Sequence, residues 1–222
     1  EQAGLQMHEV IVRVQGPSPP DFRAFNREIT PFRAGQVVSL EYYRGSEKHA
    51  LQMALSERPK PEVPATVAEV ATNFREANTI ALTGLRELLQ GIPETALVQL
   101  PAPEEWSVND VLAHLIWAEK HQQILLWAMY GGEDYVPWTG NNAVQLAGIL
   151  AVYPTSGELL AELERSLRAT EAMVAAIDDS FTAHKAEYGI IAANANASQQ
   201  HIQSHFDQIR NAIQAATVAV PA

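Results

Sequence analysis

Between Thr66 and Val218, apolar residues recur at spacings of three and four along four long segments, and this periodicity restricts the fold more than any other feature of the sequence. Such spacing places apolar side chains on one face of an α-helix. The first segment has the stripe Val67, Val70, Phe74, Ala77, Ala81, Leu85 and Leu88. Four amphipathic helices in one chain predict an all-α four-helix bundle over residues 66–218.

Three of the predicted helices begin with the pattern of a capping box, in which a hydroxyl residue is followed three positions later by an acidic residue. These pairs are Thr66 with Glu69, Ser107 with Asp110, and Thr155 with Glu158. Glycines end the first two helices, at Gly91 and, after about Tyr130, at Gly131.

The connection between the second and third long helices, residues 133–154, is irregular, and its middle, Asn142 to Leu150, is predicted as a short helix. The fourth long helix is predicted to run without a break from near Gly189 to about Val218.

Residues 1–60 have a different pattern and predict a small α+β extension. His8 to Gln15 and Gln36 to Tyr43 alternate apolar and polar residues, which predicts two short strands. Asp21 to Ile29 and Glu47 to Leu55 are predicted as short helices. Because two strands alone are not stable, we expect this extension to pack on the bundle or on another chain. A homodimer is therefore an open alternative.

Composition excludes several classes of partner and ligand. Residues 1–60 carry eight Lys or Arg and seven Asp or Glu, whereas residues 61–222 carry seven and nineteen, a net charge of −12. Such an acidic bundle opposes binding to nucleic acid. No apolar stretch is long enough to cross a bilayer, so no membrane partner is expected, and a cytoplasmic location is the default expectation. The chain has no cysteine, which excludes thiolate ligands and a cysteine nucleophile.

The centre of the fourth helix is polar where a bundle core should be apolar. Its inward stripe reads Ile191, Asn194, Ser198, His201, His205, Ile209, Ala212 and Ala216. Each buried polar group without a partner costs on the order of 1–3 kcal/mol. We therefore expect a group inside the bundle to satisfy these side chains.

His201 and His205 lie one helical turn apart, so both imidazoles can reach one divalent ion of zinc, nickel, copper or iron. Two solvated or hydrogen-bonded histidines are the alternative interpretation. His114, between core positions of the second helix, would in isolation be a buried, hydrogen-bonded histidine. His121 lies about 10 Å further along that helix and is predicted to be a substrate-side or surface residue. The remaining histidines, His8, His49 and His184, are predicted not to be ligands.

Two segments carry a family resemblance. Trp106 to Leu115 (WSVNDVLAHL) and Asn194 to Ile209 resemble the second-helix and fourth-helix signatures of the DinB/YfiT-like superfamily. The resemblance implies an up-down-down-up four-helix bundle that binds a divalent metal through His114, His201 and His205. Leu126 to Asn142 further resembles the ClbS/DfsB-like branch, which contains cyclopropane hydrolases acting on a genotoxin. That branch often has a Trp-Glu pair after the second-helix histidine; here Glu119 keeps its place, whereas Trp117 lies one residue early.

Three classes of function follow. The first is a metal-dependent enzyme, a hydrolase or a transferase using a low-molecular-weight thiol, that acts through a zinc, nickel or iron ion on a small molecule, with toxic compounds among the candidates. The second is a non-catalytic protein that binds a small ligand or a metal. The third is a structural, dimerising bundle.

Glu119 is the nearest candidate acid or base, but it lies about 140° around the helix from His114 and is predicted to be solvated. Catalytic and thiol-binding residues stay unassigned.

Overall fold

The computed structural model describes residues 4–57, 62–133, 143–194 and 197–218. The chain divides into two compact units, Glu1–Pro61 and Glu62–Ala222. Among the described residues, no helix combines the length and the apolar character needed to cross a membrane.

The first unit contains a three-stranded antiparallel sheet and one helix. Its elements are β1 (Val10–Val14), α1 (Phe22–Ile29), β2 (Val37–Arg44) and β3 (Glu47–Ala54). The strands lie in the order β1-β2-β3. Val14, Val38 and Leu40 form a small buried cluster, against which side chains of α1 and β3 pack. The predicted strands and the first short helix are confirmed.

The short helix predicted over Glu47 to Leu55 is wrong, because this segment forms β3. Arg44 pairs with Glu47 across a tight turn in which Gly45 has a φ of 62°, a conformation that suits glycine. Within β3, His49, Leu51 and Met53 alternate with more exposed residues and are partly buried on one face. The extension therefore has a third strand and an apolar cluster of its own.

The second unit is helical. Its elements, in chain order, are α2 (Val67–Leu89), α3 (Glu94–Leu97), α4 (Val108–Gly131), α5 (Ala143–Val152), α6 (Ser156–Ala175), a 3-10 turn (Asp179–Ala183), α7 (Lys185–Asn194), α8 (Ala197–Ser204) and α9 (Phe206–Val218). All three predicted capping boxes are present, at the starts of α2, α4 and α6. The mainly α-helical class is confirmed, and α3 is a short helix that the apolar spacing does not predict.

Helix α4 lies at the centre of this unit. It contacts α5, α6, α7, α8 and α9, while α6 also packs along α2. Val111, Leu112 and Ile116 are fully buried, and over Val108–Glu119 only Asp110 and Ala118 are partly exposed. The first half of α4 therefore has no broad face towards solvent, and polar residues on it are held inside the bundle.

The fourth long helix is not continuous, which corrects the prediction of one helix from Gly189 to Val218. Its first described segment, α7, begins earlier, at Lys185, and the helix is interrupted at His205, between α8 and α9. The Ser204 hydroxyl donates a hydrogen bond to the His201 carbonyl at 2.6 Å. The His205 N–H, which would bond to that carbonyl in a regular helix, donates instead to Ile202 at 3.2 Å. The interruption falls on one of the predicted ligands.

Candidate metal centre

Three histidines from two parts of the helical unit converge on one point. His114 projects from the buried half of α4, His201 from α8, and His205 from the junction of α8 and α9. The Nε2 atom of His201 lies 3.0 Å from that of His114 and 3.2 Å from that of His205. One ring nitrogen from each residue lies within 4.8 Å of the other two. The structure thus brings together the three residues that the resemblance implied.

A hydrogen bond orients the His205 ring. Its Nδ1 atom lies 2.8 Å from Oε1 of Gln208, one turn further along α9. Because an amide oxygen accepts hydrogen bonds, Nδ1 carries the proton and Nε2 presents its lone pair to the other two rings. This is how second partners fix the tautomer of metal-binding histidines.

The surroundings of the cluster favour neutral imidazoles. Burial, together with the neighbouring His114 and His205, lowers the pKa of His201 from 6.5 to about 4. The indole of Trp106 lies against the His114 ring with centroids 5.1 Å apart, and Trp117 stacks on the same ring at 6.0 Å. Aromatic rings thus cover His114, and neutral imidazole is the form that binds a metal.

The donor geometry fits a divalent ion. Ligand nitrogens at 2.0–2.1 Å from a tetrahedral zinc ion would lie roughly 3.3 Å from one another. Two of the separations in the cluster, 3.0 and 3.2 Å, are close to that value. Hydrogen bonding within the cluster is a poorer solution, because a single proton on His201 Nε2 can serve only one of its two neighbours. The three residues present therefore suit a metal ion.

The prediction that Glu119 is solvated is wrong. Its side chain is 4% exposed. The Ser198 hydroxyl donates a hydrogen bond to Oε2 at 2.7 Å, and the Thr170 hydroxyl donates one to Oε1. Burial raises the pKa of the Glu119 carboxyl, although both hydroxyl donors act in the opposite direction. Glu119 is buried because α6 and α8 pack against its side of α4. The angle between Glu119 and His114 around the helix did not reveal these contacts.

A pocket of about 250 Å³ joins Glu119 to the histidine cluster. It is lined by Leu115, Ala118, Glu119, Gln122, Leu163, Ala197, Ser198, His201 and Ile202. A second, wider groove of about 540 Å³ includes Trp106 and Gln208, which contact His114 and His205 respectively. A small molecule in the first pocket would contact both the carboxyl group and a ligand histidine.

The other histidines lie outside the cluster. His121 is 7% exposed and stacks on Trp117 with ring centroids 5.8 Å apart, so the surface alternative predicted for it is wrong. His49 stacks on Tyr42 in the sheet of the first unit, and His184 stacks on Phe181. Among the described residues, the cluster that can hold a metal comprises His114, His201 and His205.

Comparison with known families agrees with the motifs. A family profile described as DinB superfamily matches residues 78–216, more than half of the chain. The chain belongs to the DinB superfamily. No curated protein and no solved structure matches it.

The family match identifies the superfamily but not a branch within it. Together with the three-histidine cluster, membership of the DinB superfamily fits a metal-binding protein. The resemblance to the ClbS/DfsB-like branch stays a prediction, because the match is to the superfamily as a whole. The part of that resemblance that includes Trp138 and Asn142 lies outside the described residues.

Proposed function

We propose that this DinB-superfamily protein is a metal-dependent enzyme that acts on a small molecule. The Nε2 atoms of His114, His201 and His205 would hold one divalent ion of zinc, nickel or iron. The observation that carries the proposal is the shared pocket, in which the buried carboxyl of Glu119 and a ring of the histidine cluster face the same space. A purely structural metal site has no need of such a pocket.

The metal ligands, Glu119 and the apolar lining of the pocket have different proposed roles. An ion held by these three imidazoles would supply Lewis acidity towards a water molecule or a thiol in the pocket. Glu119 faces the same pocket as His201, so its carboxyl oxygens can accept a hydrogen bond or a proton from a molecule bound there. Leu115, Leu163 and Ile202 line the pocket with apolar surface that can contact the apolar part of a substrate.

Two reaction classes are compatible with this arrangement. One is hydrolysis, in which water is the second reactant. The other is transfer to a low-molecular-weight thiol, which must come from outside because the chain has no cysteine. A small molecule is the expected substrate of either reaction, and toxic compounds are one candidate class. A non-catalytic binding protein is the alternative function, and the buried carboxyl beside the cluster favours the enzyme.

Turnover of metal-loaded protein tests the proposal. Wild-type protein, metal-free protein and the variant His201→Ala would be assayed against a panel of small esters, amides, epoxides and alkyl halides, each with and without added thiol. We expect a substrate that only the metal-loaded wild type converts. Equal conversion by the metal-free protein and by His201→Ala would contradict a metal-dependent reaction. Failure of the whole panel, with stoichiometric metal bound, would favour the binding protein.

A further inference from the structure

The pocket beside the histidine cluster has an uneven distribution of polar groups. Most of its wall is apolar, and its polar side chains are Glu119, Gln122, Ser198 and His201. No lysine or arginine is among the described residues that line it, and Glu119 forms no ion pair with any described residue. The pocket therefore contains an acidic group that has no basic partner in the part of the chain that the structure describes.

The hydrogen bonds of Glu119 determine what a ligand can offer it. Each carboxyl oxygen already accepts one hydrogen bond, from Thr170 or from Ser198. A carboxylate oxygen has two acceptor positions, so each keeps one more. The remaining positions are also acceptors, so a ligand must offer them a hydrogen-bond donor. A buried carboxylate gains most from a charged donor, since such hydrogen bonds are roughly twice as strong as neutral ones.

The size of the pocket limits the ligand further. A volume of about 250 Å³ corresponds to roughly eight water molecules at about 30 Å³ each. A molecule of that size that contacts His201 also reaches Glu119, because both residues line the same space. Because most of the wall is apolar, the pocket suits a short, mainly apolar molecule with a polar group for each of these two residues.

We propose that Glu119 determines substrate specificity: it accepts a hydrogen bond from an amine at one end of a small, mainly apolar molecule whose other end lies at the three-histidine site. The inference rests on the proposed function, because it needs an ion at that site. It adds the chemical class of the substrate, an amine or a closely similar donor, and it makes Glu119 a binding residue that touches the substrate.

A matched pair of metal-binding probes tests the inference. The hydroxamate of 3-aminopropanoic acid and the hydroxamate of butanoic acid have nearly the same shape, but only the first carries an amine. Binding to cobalt-loaded protein would be measured from the visible spectrum of the ion. We expect the wild type to prefer the amine probe by at least about tenfold, as a charged hydrogen bond predicts.

Variants separate the role of Glu119 from general electrostatic attraction. Glu119→Gln keeps the shape of the side chain and removes its charge, and we expect the preference to fall to about twofold or less. Glu119→Asp keeps the charge but withdraws it from the pocket, and an intermediate preference is expected. Glu76→Gln, at an exposed position of α2, removes the same charge from the surface and should leave the preference unchanged. Circular dichroism confirms that each variant is folded.

Cobalt uptake tests the proposed metal site, and the preference between the probes tests the role of Glu119. If wild-type protein takes up no stoichiometric cobalt, the proposed metal site is wrong, and the inference about Glu119 is overturned with it because it needs an ion at that site. If cobalt binds but the wild type does not distinguish the probes, or if Glu119→Gln keeps the full preference, the inference about Glu119 is wrong while the metal site stands.

Discussion

The Nε2 atoms of His114 and His201 lie 3.0 Å apart, although 87 residues separate the two histidines in the chain. Helix α4 carries one of them and α8 the other. Two ring nitrogens at this distance repel each other when both rings are protonated. The cluster is therefore sensitive to pH whenever no metal ion is bound.

Metal-free protein should lose stability as the pH falls from about 6.5 to about 4. The pKa of His201 is 6.5 in an unfolded chain and about 4 in the folded protein, so only the unfolded chain takes up a proton across this range. Uptake by the unfolded state lowers the free energy of unfolding as the pH falls. Urea unfolding of chelator-treated protein at several pH values measures this effect. His201→Gln should reduce the slope of the free energy of unfolding against pH. An unchanged slope would show that His201 titrates normally.

Glu119→Gln should stabilise the metal-free protein at neutral pH. Burial raises the pKa of Glu119, so the folded state favours the protonated form and loses stability as the pH rises through the shifted pKa. Glutamine removes the charge, and we expect a gain on the order of 1 kcal/mol, or about 2–4 °C in Tm. Thermal unfolding at pH values from about 5 to about 8 measures it.

The gain from Glu119→Gln should grow as the pH rises. Glu76→Gln, the exposed control, should change stability by less than about 0.5 kcal/mol at every pH. A loss of stability for Glu119→Gln that is independent of pH would mean that its hydrogen bonds to Thr170 and Ser198 outweigh the cost of burial.

Ser204→Ala should weaken metal binding without unfolding the protein. Without the hydroxyl, the His201 carbonyl is free to accept the His205 N–H, and α8 and α9 can join into one regular helix. The His205 ring would then move relative to His201, and we expect a loss of about tenfold or more in metal affinity. Competition with a metal-sensitive dye measures the affinity. Thr217→Ala, which removes a similar hydroxyl-to-carbonyl bond near the end of α9, is the control and should bind metal normally.

Gly84→Ala should destabilise the helical unit. A Cβ atom at this position of α2 would lie 2.8 Å from two ring atoms of Phe206, the residue that follows His205. Overpacking of this kind costs about 1–3 kcal/mol. Gly148→Ala in α5 meets open space and should instead stabilise by about 0.5–1 kcal/mol. Urea unfolding compares the two, and equal effects would contradict the close contact between α2 and α9.

Helix boundaries could be predicted where the deciding interactions are local. The capping boxes at Thr66, Ser107 and Thr155 involve residues three positions apart, so the sequence contains the whole signal. The same holds for the end of α4, where Gly132 adopts a left-handed conformation with a φ of 77°. In contrast, Gly45 was compatible with either a helix start or a hairpin, and only the pairing of β2 with β3 decides between them.

The histidine cluster could be anticipated, but its surroundings could not. The spacing of His201 and His205 places them on one helical face, and the family motif supplied His114. The burial of Glu119 depends on how α6 and α8 pack against α4, which no local pattern encodes. The interruption at His205 lies beside Ser204, whose hydroxyl bonds to the His201 carbonyl. Thr79 and Thr83 make comparable bonds inside the unbroken α2, so a hydroxyl residue in a helical segment does not by itself predict an interruption.

The metal content of untagged protein tests the proposed centre most directly. Protein purified without a metal-affinity tag and without chelators would be studied by elemental analysis, alongside the double variant His201→Ala, His205→Ala. We expect a single divalent ion per wild-type chain and none in the double variant, with unchanged helical circular dichroism in both, because the fold of the helical unit rests mainly on its apolar core. A double variant that retains the same stoichiometric metal would contradict the three-histidine centre.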